Sequence, residues 1–189
     1  IATMLHDAPD EMKGTLKVPA ASHLFKTRDD IVPLKSEKKD MFVHLVMQGL
    51  YLSQRAHPDI RTTISFLTTR LQNPTEDDYK KLTKMMQYLR LTMFLPLVLQ
   101  VADDGVLLWW VDASYAVHPS TRGHTGGTFT LGHGSGVYST SNKPKLISRS
   151  STESEMIGVF DVLPQILWTQ HFLTHQRNET VTAVLKQDN

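Results

Sequence analysis

The chain has 189 residues, 40% of them hydrophobic and 21% charged, with 20 Lys and Arg against 19 Asp and Glu and a net charge of +1. This is the make-up of an ordinary folded protein with room for one domain or two small ones, and it excludes wholesale disorder and a collagen-like chain. The absence of cysteine excludes disulfide scaffolds, cysteine zinc sites and thiol catalysis, and the near-cancelling charges exclude a uniformly polybasic chain, though not one basic face. No run approaches the roughly 18 apolar residues of a membrane span, and no signal-peptide pattern opens the chain, so no membrane partner is expected.

Residues 1–40 carry Pro9, Pro19 and Pro33 with seven basic and seven acidic residues, and read as an irregular, solvated linker. Residues 41–96 read as a helical segment. Phe42, Leu45, Val46, Gly49, Leu50 and Ser53 recur at helical spacing, and His57-Pro58 ends that helix, because a residue before proline is pushed out of the helical region. Asp59 is then a candidate N-cap for a second helix from Ile60 to Leu71. Thr75-Glu76-Asp77-Asp78 opens a third helix with acids where the helix dipole favours them. Leu82, Met85, Met86 and Leu89 form its apolar face, and Lys80, Lys81 and Lys84 its solvated, or phosphate-contacting, face.

From Leu97 the pattern turns strand-like. Leu97–Val101 and Val106–Val111 are β-prone runs joined by Asp103-Asp104-Gly105, a hairpin signal. Ala113–Thr152 contains no acidic residue but holds six of the ten glycines, the cations Arg122, Lys143, Lys145 and Arg149, and His118, His124 and His133. Within it, 127–131 and 136–140 alternate like strands. Ser150-Ser151-Thr152-Glu153 starts a helix, with Ser150/Glu153 and Thr152/Glu155 as overlapping capping boxes, apolar nearly all round from Met156 to Trp168, with a kink expected at Pro164. Thr180–Leu185 reads as a final strand. Trp109 and Trp110 are adjacent, so in a strand they face opposite sides, one into the core.

Three acidic positions stand out. Asp112 and Asp188 end apolar strands, and Glu153 and Glu155 lie in the first turns of the helix. A carboxylate beside a buried strand is costly unless paired or metal-bound, and such oxygen donors suit Mg²⁺. Glu153 and Glu155 point about 200° apart on a helix, so only one of them can face Asp112, and the apolar periodicity does not choose between them. Gly158, one turn beyond Glu155, allows a close backbone approach to that face. Gly132-His133-Gly134-Ser135-Gly136 is neither a nucleophile elbow nor a dinucleotide fingerprint, and the histidines form no His-Glu-x-x-His pair.

The segments Val111-Asp112-Ala113-Ser114-Tyr115-Ala116, His124-Thr125-Gly126-Gly127, Ser150-Ser151-Thr152-Glu153-Ser154-Glu155, Trp168 and Gln187-Asp188-Asn189 together resemble the RNase H region of copia-type LTR retrotransposon polyproteins. Upstream, Leu50–Ile60 and Tyr88-Leu89-Arg90-Leu91-Thr92 resemble the segment between the polymerase palm and RNase H. The resemblance covers residues 41–189. It implies a mixed α/β chain: a helical thumb or connection of a reverse transcriptase over 41–96, then over 97–189 an RNase H-like domain with three antiparallel strands, a helix and a parallel strand. The first and last residues, Ile1 and Asn189, read as the limits of a slice, with the second domain incomplete at its C-terminus. His57 departs from the family's usual arginine.

The activity implied is hydrolysis of the RNA strand of an RNA/DNA hybrid, with Asp112, Glu155 and Asp188 positioning two Mg²⁺ (or Mn²⁺) ions that activate a water and stabilise the leaving oxygen. Glu153 is left to the helix cap. The acid-free stretch, through Arg122, Lys143, Lys145 and Arg149, is the expected surface for the hybrid backbone, and the remainder of the polyprotein is the other expected partner. An active element would place the chain in a cytoplasmic particle or the nucleus. The alternatives are a remnant that binds nucleic acid or a partner without cleaving, and a decayed copy that does not fold stably.

Overall fold

Twenty residues, Ser36–Arg55, form the longest helix of the first half (α2), and its buried stripe is Phe42, Leu45, Val46, Gly49 and Ser53, the expected spacing. The computed structural model describes residues 1–20, 22–28, 32–101, 105–132, 134 and 136–187, and the chain divides into two compact units, Ile1–Pro96 and Leu97–Asn189. No helix among the described residues is long and apolar enough to cross a membrane.

The first unit is helical. After α1 (Ala2–Asp7) and α2 come α3 (Arg61–Thr68) and α4 (Glu76–Thr92). Ile60, Ile64 and Leu67 meet Leu82, Met85, Met86 and Leu89 in one core, all fully buried. Gly49 lets α2 approach α3: a Cβ there would lie 2.5 Å from Ile64 Cδ1. Residues 1–40 were expected as an irregular linker; α2 already begins at Ser36, the described residues before it form α1 and a 3₁₀ turn at Asp10–Met12, and Met4, Leu5, Met12, Leu24 and Leu34 are buried in this core, so the segment is packed onto the helices.

Two local expectations are corrected here. Asp59 does not cap the second helix. Pro58–Ile60 is a 3₁₀ turn and Ile60 takes the N-cap position, while the Asp59 carboxylate accepts from Tyr88 Oη and lies 3.2 Å from His57 Nδ1. Lys81 does not lie on a solvated face. It is buried, its Nζ donates to the Lys26 carbonyl at 2.6 Å, pairs with Asp77 at 2.8 Å, and sits over the Phe66 ring. The start of α4 follows the sequence closely: Thr75 and Asp78 form a reciprocal capping box, and Arg70 pairs with the buried Asp78 at 3.2 Å.

The second unit is a four-stranded sheet with one long helix: β1 (Leu107–Ser114), β2 (His124–Thr130), β3 (Tyr138–Asn142), α5 (Ser151–Arg177) and β4 (Ala183–Gln187). The strand order is β3-β2-β1-β4. β1 to β3 are antiparallel neighbours, and β4, reached through α5, runs parallel to β1, the mixed sheet expected. Inward residues of β1 and β2 meet α5: Leu107, Trp109, Val111 and Phe129 pack with Val162, Ile166 and Val181. Trp109 and Phe129 are register partners and stack at 5.0 Å. Trp110 faces the other side, half exposed, with Lys186 Nζ 4.7 Å from its ring.

Leu97–Val101 was expected as a strand and is not one; Val98, Leu99 and Val101 are exposed and the segment has no regular structure. Of the expected hairpin turn, Asp103 and Asp104 lie outside the described residues, and Gly105 has φ +64°. The expected third strand begins at Tyr138 rather than Gly136. α5 continues unbroken from Ser151 to Arg177 with Pro164 inside it. Its apolar circumference is only partly used: Val162 and Ile166 are buried, whereas Met156, Phe160, Leu163, Leu167, Trp168 and Phe172 are exposed.

Candidate functional site

Of the carboxylates singled out in the sequence, Asp112 lies near the end of β1 and Glu153 and Glu155 lie in the first turns of α5. β1 alternates, with Trp109 and Val111 buried toward α5 and Trp110 and Asp112 on the opposite face. Asp112 is exposed, and no hydrogen bond or ion pair to it occurs among the described residues. Opposite Asp112 in β2 is Gly126, so no side chain crowds it from that strand.

The start of α5 resolves the two glutamates. Ser150 Oγ accepts from the Glu153 N–H at 3.1 Å, and Glu153 Oε2 accepts from the Arg149 N–H at 2.6 Å. Glu153 is therefore committed to the cap, as expected. The second capping box, Thr152 with Glu155, does not form. Glu155, half-buried, instead accepts from Gln187 Nε2 at 2.6 Å, and Gln187 is the register partner of Val111, the residue before Asp112. Gly158 sits directly over the sheet, where a Cβ would lie 3.3 Å from Ala113 Cβ and 3.4 Å from Val111 Cγ1. The close approach permitted by this glycine lets α5 hold Glu155 against the strand ends. Asp188, the third carboxylate expected there, lies outside the described residues, as do His133 and Ser135. Among the described residues no group of three His, Asp or Glu side chains is placed to hold a metal ion. Asp112 and Glu155 are hard oxygen donors of the kind Mg²⁺ takes, with Asp112 on the face of β1 away from α5 and Glu155 on the α5 side.

Of the four cations, Arg122 and Lys143 are brought together. His118, read in the sequence as a polar loop residue, is buried. Its N–H donates to the Arg122 carbonyl at 3.0 Å, and its Nε2 lies 3.1 Å from His124 Nδ1. His124, also buried, bonds through Nε2 to Ser141 Oγ at 2.6 Å. Thr125 pairs with Asn142, so Lys143 follows beside His124. Burial, then the Lys143 charge, pushes the His118 imidazole down to about 4, and burial, then His118, does the same for His124. Burial, then the Arg122 charge, lowers the Lys143 ammonium. Lys145 and Arg149 are exposed. None of the four cations pairs with a carboxylate among the described residues.

Sequence reasoning passed over Gln187 as the tether of Glu155, the His118–His124–Ser141 chain, and Asp161, whose carboxylate lies 3.4 Å from Thr125 Oγ1. For none of these is there a local sequence signal, because each depends on residues brought together from different strands or across the crossover.

No family model matches the sequence, and no solved structure matches it. The chain is similar to the retrovirus-related Pol polyprotein of transposon TNT 1-94 from Nicotiana tabacum, 25% identical over 175 residues, which is 88% of this chain and 13% of that polyprotein. It is also similar to secreted RxLR effector protein 161 of Plasmopara viticola, 24% identical over 119 residues, 63% of this chain and 84% of that protein.

Proposed function

We propose that the chain is a segment of a retroelement Pol polyprotein whose second unit is an RNase H-like nuclease module acting on the RNA strand of RNA/DNA hybrids. The observation that carries this reading is the join of α5 to β4: Glu155, on the first turns of the crossover helix, is tied by Gln187 to the strand beside Asp112. An antiparallel three-strand sheet extended by a parallel strand, with carboxylates at the shared strand ends, is an arrangement suited to oxygen-ligand metal chemistry. The similarity to a transposon Pol polyprotein over most of the chain supports the retroelement part. In this reading the first unit is a helical connection of the reverse transcriptase.

Asp112, Glu155 and Asp188 would hold Mg²⁺, which when bound supplies Lewis-acid activation of water and charge for the departing oxygen. The chain's own contributions are the tethering of Glu155 by Gln187 and the binding of the hybrid backbone by Arg122, Lys143, Lys145 and Arg149. Hybrid binding of this kind weakens steeply with salt.

The test is cleavage of an end-labelled RNA/DNA hybrid in Mg²⁺ by the chain and by its Asp112→Asn and Glu155→Gln variants. Loss of cleavage by about a hundredfold or more in each variant, with hybrid affinity retained, is expected. Equal cleavage by Asp112→Asn and the parent sinks the catalytic assignment. Hybrid binding that persists in EDTA with no cleavage in Mg²⁺ identifies a binding remnant instead.

A further inference from the structure

Arg122 precedes β2 and Lys143 follows β3 at one end of the sheet, near enough for the Arg122 charge to act on Lys143, and both are partly withdrawn from water. Arg122 Nε is buried and has no hydrogen-bond partner among the described residues, although a guanidinium N–H out of water is costly to leave unpaired. The backbone explains why the two meet. His118 N–H closes a turn onto the Arg122 carbonyl, Thr121 N–H closes another onto the His118 carbonyl, and Thr121 has φ +57°. The β2–β3 register then sets Lys143 beside His124, which is bonded to His118.

Two like charges in a partly desolvated corner repel each other, and the repulsion grows as the local dielectric falls. A carboxylate would ordinarily settle such a pair. The run from Ala113 to Thr152 contains none, and no carboxylate from elsewhere among the described residues reaches them. The corner's histidines are buried and held low by that burial, so near pH 7 they contribute polar, uncharged walls. An unpaired donor on Arg122, a bare ammonium on Lys143 and no resident anion are together what a tetrahedral oxyanion needs: a planar N–H fork and a point charge.

We propose that Arg122 and Lys143 form a discrete site for one phosphate group, on the β2 and β3 side of the sheet end where β1 carries Asp112. The site deepens the hybrid-binding reading and rests on it for the owner of the phosphate, a phosphodiester of the nucleic-acid backbone, while the anion site itself is testable without nucleic acid.

All three tryptophans, Trp109, Trp110 and Trp168, lie in the second unit, so tryptophan emission follows the unit that carries the site. The full chain is melted in inorganic phosphate and in chloride at matched ionic strength. At a phosphate concentration ten times its Kd, the tryptophan transition should rise by roughly 6–11 °C over chloride. Arg122→Gln and Lys143→Gln should each abolish that rise. In chloride Lys143→Gln should melt no lower than the parent, because the substitution relieves repulsion; this variant keeps the test informative even if Arg122→Gln fails to fold. Arg177→Gln, at an exposed cation at the end of α5 in the same unit, should respond to phosphate as the parent does. A parent transition that rises no more in phosphate than in chloride overturns the site, and so does an Arg177→Gln variant that loses the response as fully as Lys143→Gln. In a separate arm, labelled hybrid affinity should fall about tenfold in Lys143→Gln. An unchanged hybrid affinity alongside a lost phosphate response overturns the assignment of the phosphate to a nucleic-acid backbone.

Discussion

Gln187 donates its side-chain amide to Glu155 at 2.6 Å, so the last described residue of β4 fastens the opening turns of α5 across the whole crossover. The bond spans 32 residues and fixes which glutamate looks at the strand ends. Replacing the amide by a carboxylate tests it. Gln187→Glu would set two carboxylates at hydrogen-bond distance, and one of them must then hold a proton. The variant should be less stable than the parent by about 1–2 kcal/mol at pH 8, with the deficit shrinking at pH 5 as the pair takes up that proton. Thermal melts followed by tryptophan emission at the two pH values measure this. A deficit that is the same at both would mean that the side chains at 155 and 187 do not meet.

The choice between Glu153 and Glu155 shows what the sequence could and could not supply. Helical geometry sets them on different faces, and the cap signal around Ser150 is local, so Glu153's commitment to the Arg149 N–H was legible. That Glu155 would find Gln187 depends on β4 lying parallel to β1 in one register, which no local pattern encodes. The strands and helices of the second unit were legible for the same reason the cap was, since alternation and turn residues act over a few positions. Leu97–Val101 was misjudged because β propensity is a preference for a pleated, half-buried place, and both sides of β1 are already taken by β2 and β4. Lys81 was misjudged because the Lys26 carbonyl and the Phe66 ring that receive it come from 55 and 15 residues earlier in the chain.

Gly158 gives a sharper packing test. A methyl group there would be 3.3 Å from Ala113 Cβ, 3.4 Å from Val111 Cγ1 and 3.7 Å from Thr125 Cγ2, tight but close to ordinary contact. The helix gains up to about 1 kcal/mol when glycine becomes alanine, so Gly158→Ala should be near neutral. Gly158→Val adds two branches into the same gap and should cost roughly 1–3 kcal/mol. It should also slow hybrid cleavage, because lifting α5 moves Glu155 from the strand ends. Denaturant melts of both variants measure the difference; a valine as benign as the alanine would mean that α5 does not lie this close to β1.

In the first unit, Asp78, one of three acids in the first turn of α4, is held by several partners. It is buried, accepts from the Thr75 N–H and hydroxyl at 2.9 Å each, and meets Arg70 Nε at 3.2 Å. Asp78→Ala removes a helix cap, worth about 1 kcal/mol, and leaves a half-buried guanidinium unpaired, so a total loss of roughly 2–4 kcal/mol is expected. Asp78→Asn keeps an acceptor for Thr75 without the charge and should fall between the parent and the alanine variant. Far-UV circular dichroism melts measure both. A loss below about 0.5 kcal/mol for the alanine variant would show that the Thr75–Asp78–Arg70 cluster does not hold the helix start.

The buried His118–His124 pair predicts acid sensitivity in the second unit. Both imidazoles are held at about 4 in the folded protein, against an ordinary 6.5. Burial favours their neutral forms, and the nearby Lys143 charge also disfavours protonation of His118. The unfolded chain therefore binds more protons than the folded one below about pH 6.5. The neutral pair's contribution to stability is fully present above that pH, declines as the pH falls from 6.5 toward 4, and falls no further once the folded imidazoles also titrate. A one-unit depression is worth about 1.4 kcal/mol, so a loss on the order of 3 kcal/mol per histidine is expected across that window. Tryptophan-detected melts from pH 7.5 to 4.5 should show it, and His118→Gln, which keeps a neutral hydrogen-bonding side chain next to His124, should flatten roughly half of the slope. A parent melting temperature that stays level from pH 7 to pH 5 would mean that the two rings are not held neutral by burial.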